Sequence, residues 1–322
     1  MDLSILIVTY NSERLIDALL TRLRPEVESL AAEVIVIDNA SADRTAQIVR
    51  KRHPWVRILA SRTNLGFAAG NNLGASYAQG RYLLLLNPDA VPAPGALARG
   101  VALMDEYPDA GLAGGELRGI DGSHQPSARM FPTLRDEIFT LSGLAARRPD
   151  SRLFARLDRR WADPEQPAIV DWIPGAFVFI PARLFSRLRG FDERFFMYYE
   201  EVDLCRRIRV AGFRIHYWPE LKAMHLGGES AKTVKNARVS KSGSQLESWR
   251  MRSGLLYYRK HHGSWGAAGL HWIERGWHRL RQAKATLFGQ RERAADFAVH
   301  CAQLMQAWQD TAGGTRSPAR PW

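Results

Sequence analysis

An acidic residue directly follows a short apolar segment, in a setting that could bind a metal ion. Tyr82–Leu86 has the length and apolar character of a strand buried on both faces of a parallel sheet. Pro88 ends that strand, because it lacks a backbone donor and keeps Asn87 extended. Asp89 then supplies a hard oxygen ligand suited to a divalent cation that holds a diphosphate. The same segment also fits an ordinary strand-to-turn corner.

Further candidates for chemistry lie in the second half of the chain. Glu200, Glu201 and Asp203 fall in the first turn of a helix predicted over 200–211. A carboxylate held there beside a substrate hydroxyl could act as a general base. Acidic residues at a helix start also complement the helix dipole without any catalytic role. His225 is predicted to lie a few residues past a strand, which makes it a candidate metal ligand, although an isolated histidine is more often structural.

Four apolar segments alternate with predicted helices in the first half of the chain and must position these groups. The predicted strands are Leu3–Val8, Val34–Ile37, Val56–Leu59 and Tyr82–Leu86. The alternation predicts a doubly wound α/β sheet that is mainly parallel, with the four strand ends on one edge because crossovers are right-handed. Ser12 and Ser41 are expected to cap the helices that follow the first two strands.

The polar residues at this edge of the sheet indicate a nucleotide site. Thr9, Tyr10 and Asn11 follow the first strand, and Asp38 ends the second, where its carboxylate could accept from a base or a ribose. Small residues such as Gly66, in a glycine-rich turn, let a ligand approach the backbone, although helix packing alone would also explain them. No G-x-G-x-x-G follows strand one and no G-x-x-x-x-G-K-[ST] occurs, which argues against a dinucleotide dehydrogenase and a P-loop enzyme.

The overall composition predicts a globular protein rather than a membrane-spanning or disulfide-stapled one. The chain has 322 residues, 46% of them apolar. No apolar run approaches the roughly 18 residues that a spanning helix needs. The first ten residues lack the basic flank and cleavage site of a signal peptide. Cys205 and Cys301 show no framework spacing, which favours a reducing cytoplasm.

The last quarter of the chain concentrates positive charge and tryptophan. Residues 246–322 hold 12 Lys and Arg against 5 Asp and Glu, and six of the ten Trp. Such mixing suits helices on an anionic membrane surface, but also a helical cap packed on a catalytic domain. No recognition motif supports nucleic-acid binding. We predict a basic lid or solvated loop over 231–245, helices over 246–311 and a disordered tail over 312–322.

Seven segments resemble, in their order along the chain, the family 2 inverting glycosyltransferases, and most of all the rhamnosyltransferase-type bacterial members. The segments are IVTYN (7–11), VIVIDNAS (34–41), NLGFAAGNN (64–72), LLLLNPDA (83–90), WIPGAFVFI (172–180), GFDERFFMYYEEVDLCRRI (190–208) and HLGGES (225–230). No single motif is decisive, but the ordered set is highly specific. It places a catalytic domain at 1–230, with a nucleotide-sugar half at about 1–115 and an acceptor half at about 116–230.

The resemblance implies a GT-A fold, a nucleotide-sugar donor and a Mg²⁺ or Mn²⁺ ion. The residues that it implies are Thr9, Tyr10, Asn11 and Asp38 for the nucleotide, Gly66, Asn71 and Asn87 for further donor contacts, Asp89 and His225 for the metal, and Glu201 for the catalytic base. Two positions depart from the family pattern. Asn87 replaces the first acid of the metal motif. Tyr199-Glu200-Glu201 replaces the usual Gly-Glu-Asp, so the base is one methylene longer and its positioning is affected.

The implied reaction is a single displacement that inverts the anomeric centre. Trp172, Glu200 and Asp203 are expected on the acceptor side. The expected donor is dTDP-L-rhamnose or a UDP-sugar, and the expected acceptor is a saccharide or lipid-linked saccharide at the inner face of the plasma membrane, in the synthesis of cell-surface polysaccharide. A catalytically weak sugar-nucleotide binder and a nucleotidyltransferase are the alternatives.

Overall fold

The computed structural model describes residues 1–226 and 245–318. The first half of the chain forms β1 Leu3–Thr9, α1 Ile16–Ser29, β2 Ala32–Asp38, α2 Thr45–Arg52, β3 Arg57–Ala60, α3 Gly66–Tyr77 and β4 Tyr82–Leu86. These bounds confirm all four predicted strands to within two residues at either end. The helix after the glycine-rich turn begins inside that turn, at Gly66.

The second half continues with more strands and ends in two helices. The elements are β5 Ala90–Pro92, α4 Ala96–Glu106, β6 Ala110–Arg118, β7 His124–Gln125, α5 Leu134–Leu141, α6 Leu144–Arg147, β8 Ala168–Val170, β9 Phe177–Pro181, α7 Ala182–Arg187, α8 Glu200–Val210, β10 Arg214–His225, α9 Gln245–Leu287 and α10 Arg291–Asp310. α8 confirms the predicted helix, and Gly212 follows it with φ of +89°. His225 is the last residue of β10, so its predicted place beyond the strand was wrong.

Within residues 1–226 the strands form one sheet in the order β3-β2-β1-β4-β9-β6-β10-β5. β3, β2, β1 and β4 pair in parallel. β9 is antiparallel to both β4 and β6, and β6 pairs in parallel with β10. Six strands therefore run in one direction, namely β1, β2, β3, β4, β6 and β10. This confirms the predicted mainly parallel α/β sheet. Their carboxyl ends lie on one edge, where ligands of open α/β sheets bind.

The sheet buries both of its faces, which explains why its strands are continuously apolar in sequence. Along β1, Leu6 belongs to a core cluster on one face, whereas Ile5 and Ile7 belong to the cluster on the other. The cluster that contains Leu6 also contains residues of α8 and of the two last helices, among them Leu204 and Leu255. The C-terminal helices therefore share a core with the sheet.

The C-terminal segment forms the helices predicted over 246–311 and differs from its prediction in the tail. α9 is broken at Gly263, whose φ of 70° and ψ of −168° are not helical. Residues 312–318 do not form the predicted disordered tail, because Gly314 lies against Leu255 and the Ser317 hydroxyl donates to the Arg194 carbonyl at 2.9 Å. The predicted lid falls outside the described residues except for Gln245. Among the described residues, no helix combines the length and apolar character needed to cross a bilayer.

Both predicted helix caps were wrong, because the side chains bind elsewhere. α1 begins at Ile16, and the Ser12 side chain does not cap it. The Ser41 hydroxyl accepts from the Asn11 backbone N–H at 2.9 Å and so joins the loops after β1 and β2. Both cysteines are buried and free.

Candidate active site

A cavity of about 320 Å³ opens at the carboxyl edge of the parallel strands. Eight of the predicted site residues line it: Thr9, Tyr10, Gly66, Asn87, Asp89, Glu200, Glu201 and His225. They come from the ends of β1, β4 and β10 and from the first turns of α3 and α8. The structure thus brings the predicted nucleotide, metal and base residues to one site.

Asp38 and Asn11 lie behind the cavity wall instead of lining it. The Thr9 hydroxyl donates to Asp38 Oδ1 at 3.2 Å, and the Ser41 backbone N–H donates to Oδ2 at 3.3 Å. Asn11 Oδ1 accepts from the Ala42 N–H at 2.8 Å. These contacts fix the two loops relative to each other. Asp38 would therefore act on a nucleotide through Thr9 and the loop backbone.

Asn39, which the sequence reading did not single out, lines the cavity beside Asp38. Its Nδ2 donates to the Gly66 carbonyl at 3.0 Å, and its Oδ1 is buried without a hydrogen-bond partner among the described residues. A buried acceptor facing a cavity is costly unless a ligand satisfies it. In the sequence, a role for Asn39 was indicated only by its position directly after Asp38, the last residue of β2.

Gly66 is required by a close approach between two segments. Its φ is +82°, and a Cβ there would lie 2.4 Å from the Phe196 carbonyl oxygen, which accepts from the Phe67 N–H at 2.9 Å. Only glycine fits this combination. Asn71 lies in the interior of α3, where its side chain donates to the Phe67 carbonyl at 3.0 Å, and it does not line the cavity.

Asp89 and His225 face each other across the end of the sheet. Their Oδ1 and Nε2 atoms are 3.5 Å apart, and both side chains are largely buried. His225 Nδ1 lies 2.8 Å from Gln125 Oε1, and Gln125 Nε2 donates to the His225 carbonyl at 2.9 Å. Because the amide oxygen accepts, the Nδ1 atom carries the hydrogen and Nε2 keeps its lone pair toward Asp89.

This pair fits a divalent cation that also binds a diphosphate. The Nε2 atom is buried and has no hydrogen-bond partner among the described residues. A histidine ligand held through its other nitrogen is the usual arrangement in metal sites. Residues 1–226 and 245–318 contain no group of three or more His, Cys, Asp or Glu side chains that could hold an ion by themselves. Two protein ligands completed by phosphate oxygens are typical of Mg²⁺.

Helix α8, which carries Glu200 and Glu201, begins from two residues with left-handed backbones. Tyr198 and Tyr199 have φ of 69° and 66°. Such values are rare outside glycine and cluster at functional sites. The Tyr199 ring packs against Tyr257 of α9 with centroids 5.3 Å apart, and the Ser253 hydroxyl of α9 donates to the Met197 carbonyl at 2.7 Å. The turn directs the first residues of α8 into the cavity.

Glu200 and Glu201 form a coupled pair at the cavity wall. Burial raises the pKa of Glu200 well above its usual range, and the negative charge of Glu201 raises it further. Burial also raises the pKa of Glu201, which a backbone hydrogen bond, the positive charge of Arg129 and a hydrogen bond from Glu200 oppose. The pKa of Glu200 is therefore raised more strongly than that of Glu201, which favours Glu200 as the proton donor of the pair. Glu201 is the carboxylate of the pair and the better candidate for a base.

Asp203 and Trp172 lie outside the cavity, so acceptor contacts are not carried over to them. Asp203 is fully buried, and its carboxylate pairs with Arg207 at 2.8 Å, Lys260 at 2.6 Å and His261 at 2.7 Å. Trp172 Nε1 donates to the Met130 carbonyl at 2.9 Å.

Trp172 instead packs against the guanidinium of Arg129, whose positive charge acts on Glu201. The Arg129 guanidinium stacks over the Trp172 ring at 4.5 Å and pairs with Asp158. The charge of Arg129 is one of the effects that lower the pKa of Glu201. Trp172 therefore acts on Glu201 through Arg129 and does not itself line the cavity. A role for Arg129 could not be predicted from the sequence, because its neighbours Asp158, Trp172 and Glu201 come from three separate segments of the chain.

The start of α9 supplies part of the cavity wall, which the sequence reading did not foresee. Leu246 and Trp249 line the cavity. The Trp249 ring packs on Phe196 with centroids 4.5 Å apart, and its Nε1 is buried without a hydrogen-bond partner among the described residues. Trp249 thus offers an unused donor to a ligand. No local pattern could have placed it there, since its partner is 53 positions earlier in the chain.

The sequence of this chain is similar to those of several known proteins. The model of glycosyl transferase family 2 matches residues 4–160. N-acetylglucosaminyl-diphospho-decaprenol L-rhamnosyltransferase of Mycobacterium tuberculosis is 30% identical over 265 residues, which are 77% of this chain and 82% of that protein. Rhamnosyltransferase WbbL of Escherichia coli is 29% identical over 234 residues, 69% of this chain and 82% of WbbL.

Solved structures agree on the fold. A mannosyltransferase of Pyrobaculum calidifontis, in complex with GDP-Man and Mn²⁺, superposes with a TM-score of 0.53 at 17% identity over 96% of this chain and 86% of that chain. GalNAc-T7 with UDP, GalNAc and Mn²⁺ gives 0.55 at 13% identity over 83% and 50% of the two chains. With the relatives above, these matches confirm the predicted GT-A fold, and the chain belongs to glycosyl transferase family 2.

Proposed function

We propose that this enzyme transfers L-rhamnose, or another hexose, from a nucleotide-diphosphate donor to a hydroxyl of a saccharide or lipid-linked saccharide. The reaction would serve the synthesis of cell-surface polysaccharide, in the cytoplasm at the inner face of the plasma membrane. The observation that carries the proposal is one cavity lined both by the Glu201 carboxylate and by the Asp89–His225 pair. A base and a diphosphate-binding site on one cavity are what a direct sugar transfer requires.

The residues divide the reaction between them. A Mg²⁺ or Mn²⁺ ion held by Asp89 and His225 would neutralise the charge that grows on the leaving diphosphate. Gln125 keeps the His225 lone pair directed at that position. Glu201 takes the proton of the acceptor hydroxyl while the hydroxyl oxygen attacks the anomeric carbon from the side opposite the diphosphate. One displacement inverts the anomeric centre, so no enzyme nucleophile takes part.

The cavity lining supports a deoxy sugar. Phe67, Phe196 and Met197 line the cavity with apolar surface. Rhamnose carries a methyl group at C5 where most hexoses carry a hydroxymethyl group, and an apolar wall stabilises a methyl group without leaving a polar atom unpaired. Two of the relatives are named rhamnosyltransferases. We therefore favour dTDP-L-rhamnose as donor, with a UDP-sugar as the second choice.

The acceptor is proposed by analogy with the mycobacterial relative, whose name specifies a diphospho-decaprenol carrier. Trp249 and Leu246 give the cavity an aromatic and apolar wall near Glu200 and Glu201. Aromatic side chains suit the apolar faces of sugar rings. A saccharide on a polyprenyl diphosphate would bring its terminal ring to this wall.

A panel of nucleotide sugars tests the proposal. The full chain is mixed with dTDP-rhamnose, UDP-sugars and GDP-mannose, with Mg²⁺, with Mn²⁺ and with chelator, and both binding and sugar transfer are measured. We expect metal-dependent binding of dTDP-rhamnose above the others and transfer with inversion to a diphosphate-linked saccharide. Binding without transfer to any acceptor would favour a sugar-nucleotide binder. Transfer of a nucleotidyl group would contradict the proposal.

A further inference from the structure

The second part of α9, residues 264–287, exposes a row of large apolar side chains. Trp265, Trp272, Leu280 and Leu287 are 89%, 62%, 69% and 85% exposed. We call these four residues the tryptophan face. Single exposed apolar residues are ordinary, but a contiguous apolar patch on a protein surface marks an interaction site.

The four side chains point in nearly the same direction. At about 100° per residue, Trp272, Leu280 and Leu287 lie within an arc of about 80° that includes Trp265. The buried residues of the same helix part, Ala267, Leu270, His271, Glu274 and Ala285, lie on the opposite side. This segment therefore buries one apolar face in the protein and presents a second one outward.

The charges beside the tryptophan face are positive. Arg279 and Lys284 are exposed on its two sides, and Arg275 lies further round with its guanidinium 5.5 Å from the Trp272 ring. Glu274 is the only acidic residue of 264–287, and it is buried on the opposite face. The nearest acids further along the chain are Glu292 and Asp296 of α10, beside Arg291 and Arg293.

We propose that the tryptophan face docks on a bilayer that contains anionic lipids, with its four side chains among the headgroups and the upper acyl chains. Tryptophan and arginine in one helix face are typical of helices that lie in a membrane interface. The segment is about 36 Å long, which suits a helix lying along the surface. A second copy of the chain is the less favoured occupant, because two such faces would bring positive charges together.

The proposal deepens the proposed function, since a polyprenyl-linked acceptor is confined to the bilayer. The same helix element supplies Leu246 and Trp249 to the cavity before the break at Gly263. Membrane docking would thus hold the enzyme where its acceptor is located. The docking itself does not depend on which sugar is transferred.

Sedimentation of the full chain with lipid vesicles tests the docking surface. We compare phosphatidylcholine vesicles with vesicles that also contain phosphatidylglycerol, at low and at high salt. The double variant Trp265→Ala with Trp272→Ala should bind the anionic vesicles at least about tenfold more weakly, because each indole loses its burial in lipid. The double variant Ile120→Ala with Ile169→Ala is the matched control, since both side chains are exposed on the catalytic domain.

A second pair of substitutions tests the charge. Arg279→Glu with Lys284→Glu should abolish the preference for anionic lipid, and high salt should weaken wild-type binding because exposed charges are screened. Equal vesicle binding by the tryptophan variant, or no lipid preference in the wild type, would overturn the proposal. A wild-type dimer that the tryptophan variant dissociates, without vesicle binding, would instead assign the face to a second copy.

Activity distinguishes this proposal from the proposed function. The tryptophan variant should retain wild-type turnover with a water-soluble acceptor that lacks a lipid tail, and lose turnover with acceptor embedded in vesicles. Vesicle binding by a wild type that transfers no sugar would contradict the proposed function and leave the docking surface supported. Full turnover on embedded acceptor by a variant that no longer binds vesicles would refute the link between them.

Discussion

The proposed donor side and the proposed acceptor side of the cavity are built by different means. On the proposed donor side, Thr9, Asn39 and Asp89 lie at or within three residues of the ends of three parallel strands, so the sheet fixes their positions. On the acceptor side, Glu201 follows a left-handed turn, and Trp249 comes from a helix at the far end of the sequence. The first side depends on local backbone and the second on contacts between remote segments.

This difference predicts how each side responds to substitution. Donor-side changes should act on binding, because a rigid sheet edge keeps the remaining groups in place. On the proposed acceptor side, changes at Glu201 should act on turnover, because a base must be held close to the productive geometry, whereas changes at Trp249 should act on acceptor affinity. Each prediction below tests one side of this contrast, beginning with the largest expected effect.

Glu201→Gln should lower turnover by roughly 10²–10⁴-fold, the usual contribution of a positioned base, while donor binding is kept. Since burial raises the Glu201 pKa, the rate of the wild type should fall as the pH drops through that raised value, above the ordinary 4.5 of a glutamate. Turnover as a function of pH checks both expectations.

Glu200→Gln is the matched control for the base. Burial raises the pKa of Glu200 well above its usual range and so favours its protonated form, which a neutral amide of the same shape can replace while still donating to Glu201. We expect turnover within about tenfold of wild type, the cost of an altered hydrogen bond. If Glu200→Gln lost turnover while Glu201→Gln kept it, the base would be Glu200 and not Glu201.

Asp89→Ala should abolish metal-dependent donor binding and lower turnover on the order of 10²-fold, as expected when an ion that stabilises a leaving group is lost. Gln125→Ala should have a smaller effect, about 10–100-fold in metal affinity, because it only releases His225 from its orientation. Titration calorimetry with Mn²⁺ and nucleotide provides the measurement. Asp121→Ala, which changes an exposed aspartate in the turn between β6 and β7, is the control. Unchanged metal affinity in Asp89→Ala would contradict the assignment.

Asp38→Ala should raise the donor KM by up to about tenfold, with a smaller effect on kcat, because Asp38 only orders the loop that carries Thr9. Thr9→Val removes the same hydrogen bond and should give the same pattern. Steady-state kinetics at saturating acceptor separate the two constants. A loss confined to kcat would contradict a nucleotide role.

Trp249→Phe should lower the acceptor affinity by only a few-fold, because the ring surface remains and one hydrogen-bond donor is lost. Trp265→Phe, on an exposed ring outside the cavity, should leave the acceptor KM unchanged when the acceptor is water-soluble. Equal acceptor constants for Trp249→Phe and wild type would show that the indole N–H makes no contact with the substrate.

The contrast also explains which features the sequence could predict. The four strands were predictable because runs such as Tyr82–Leu86 are apolar over their whole length, and the residues at their ends followed from topology. Asp203 could not be interpreted correctly, because Lys260 and His261, which neutralise it, lie far along the chain. The Ser12 cap failed for a local reason, since the Ser12 hydroxyl donates to the Tyr10 carbonyl at 3.3 Å and α1 begins only at Ile16.

Tyr198 and Tyr199 carry a further consequence. A non-glycine residue in the left-handed region costs about 1–3 kcal/mol, which the surroundings must offset. Here those surroundings are Ser253, Gly254 and Tyr257 of α9, the first of them 56 residues beyond its partner Met197.

The C-terminal helices are therefore not an exchangeable module. A chain ending at residue 244 should let the turn before α8 relax and release Glu201, so it should lose transfer activity while the sheet edge still binds nucleotide. Transplanting the helices of a relative should restore transfer only when the residues equivalent to Ser253 and Gly254 are carried along. In this enzyme the last quarter of the sequence sets the geometry of a reaction whose participants are almost all encoded before it.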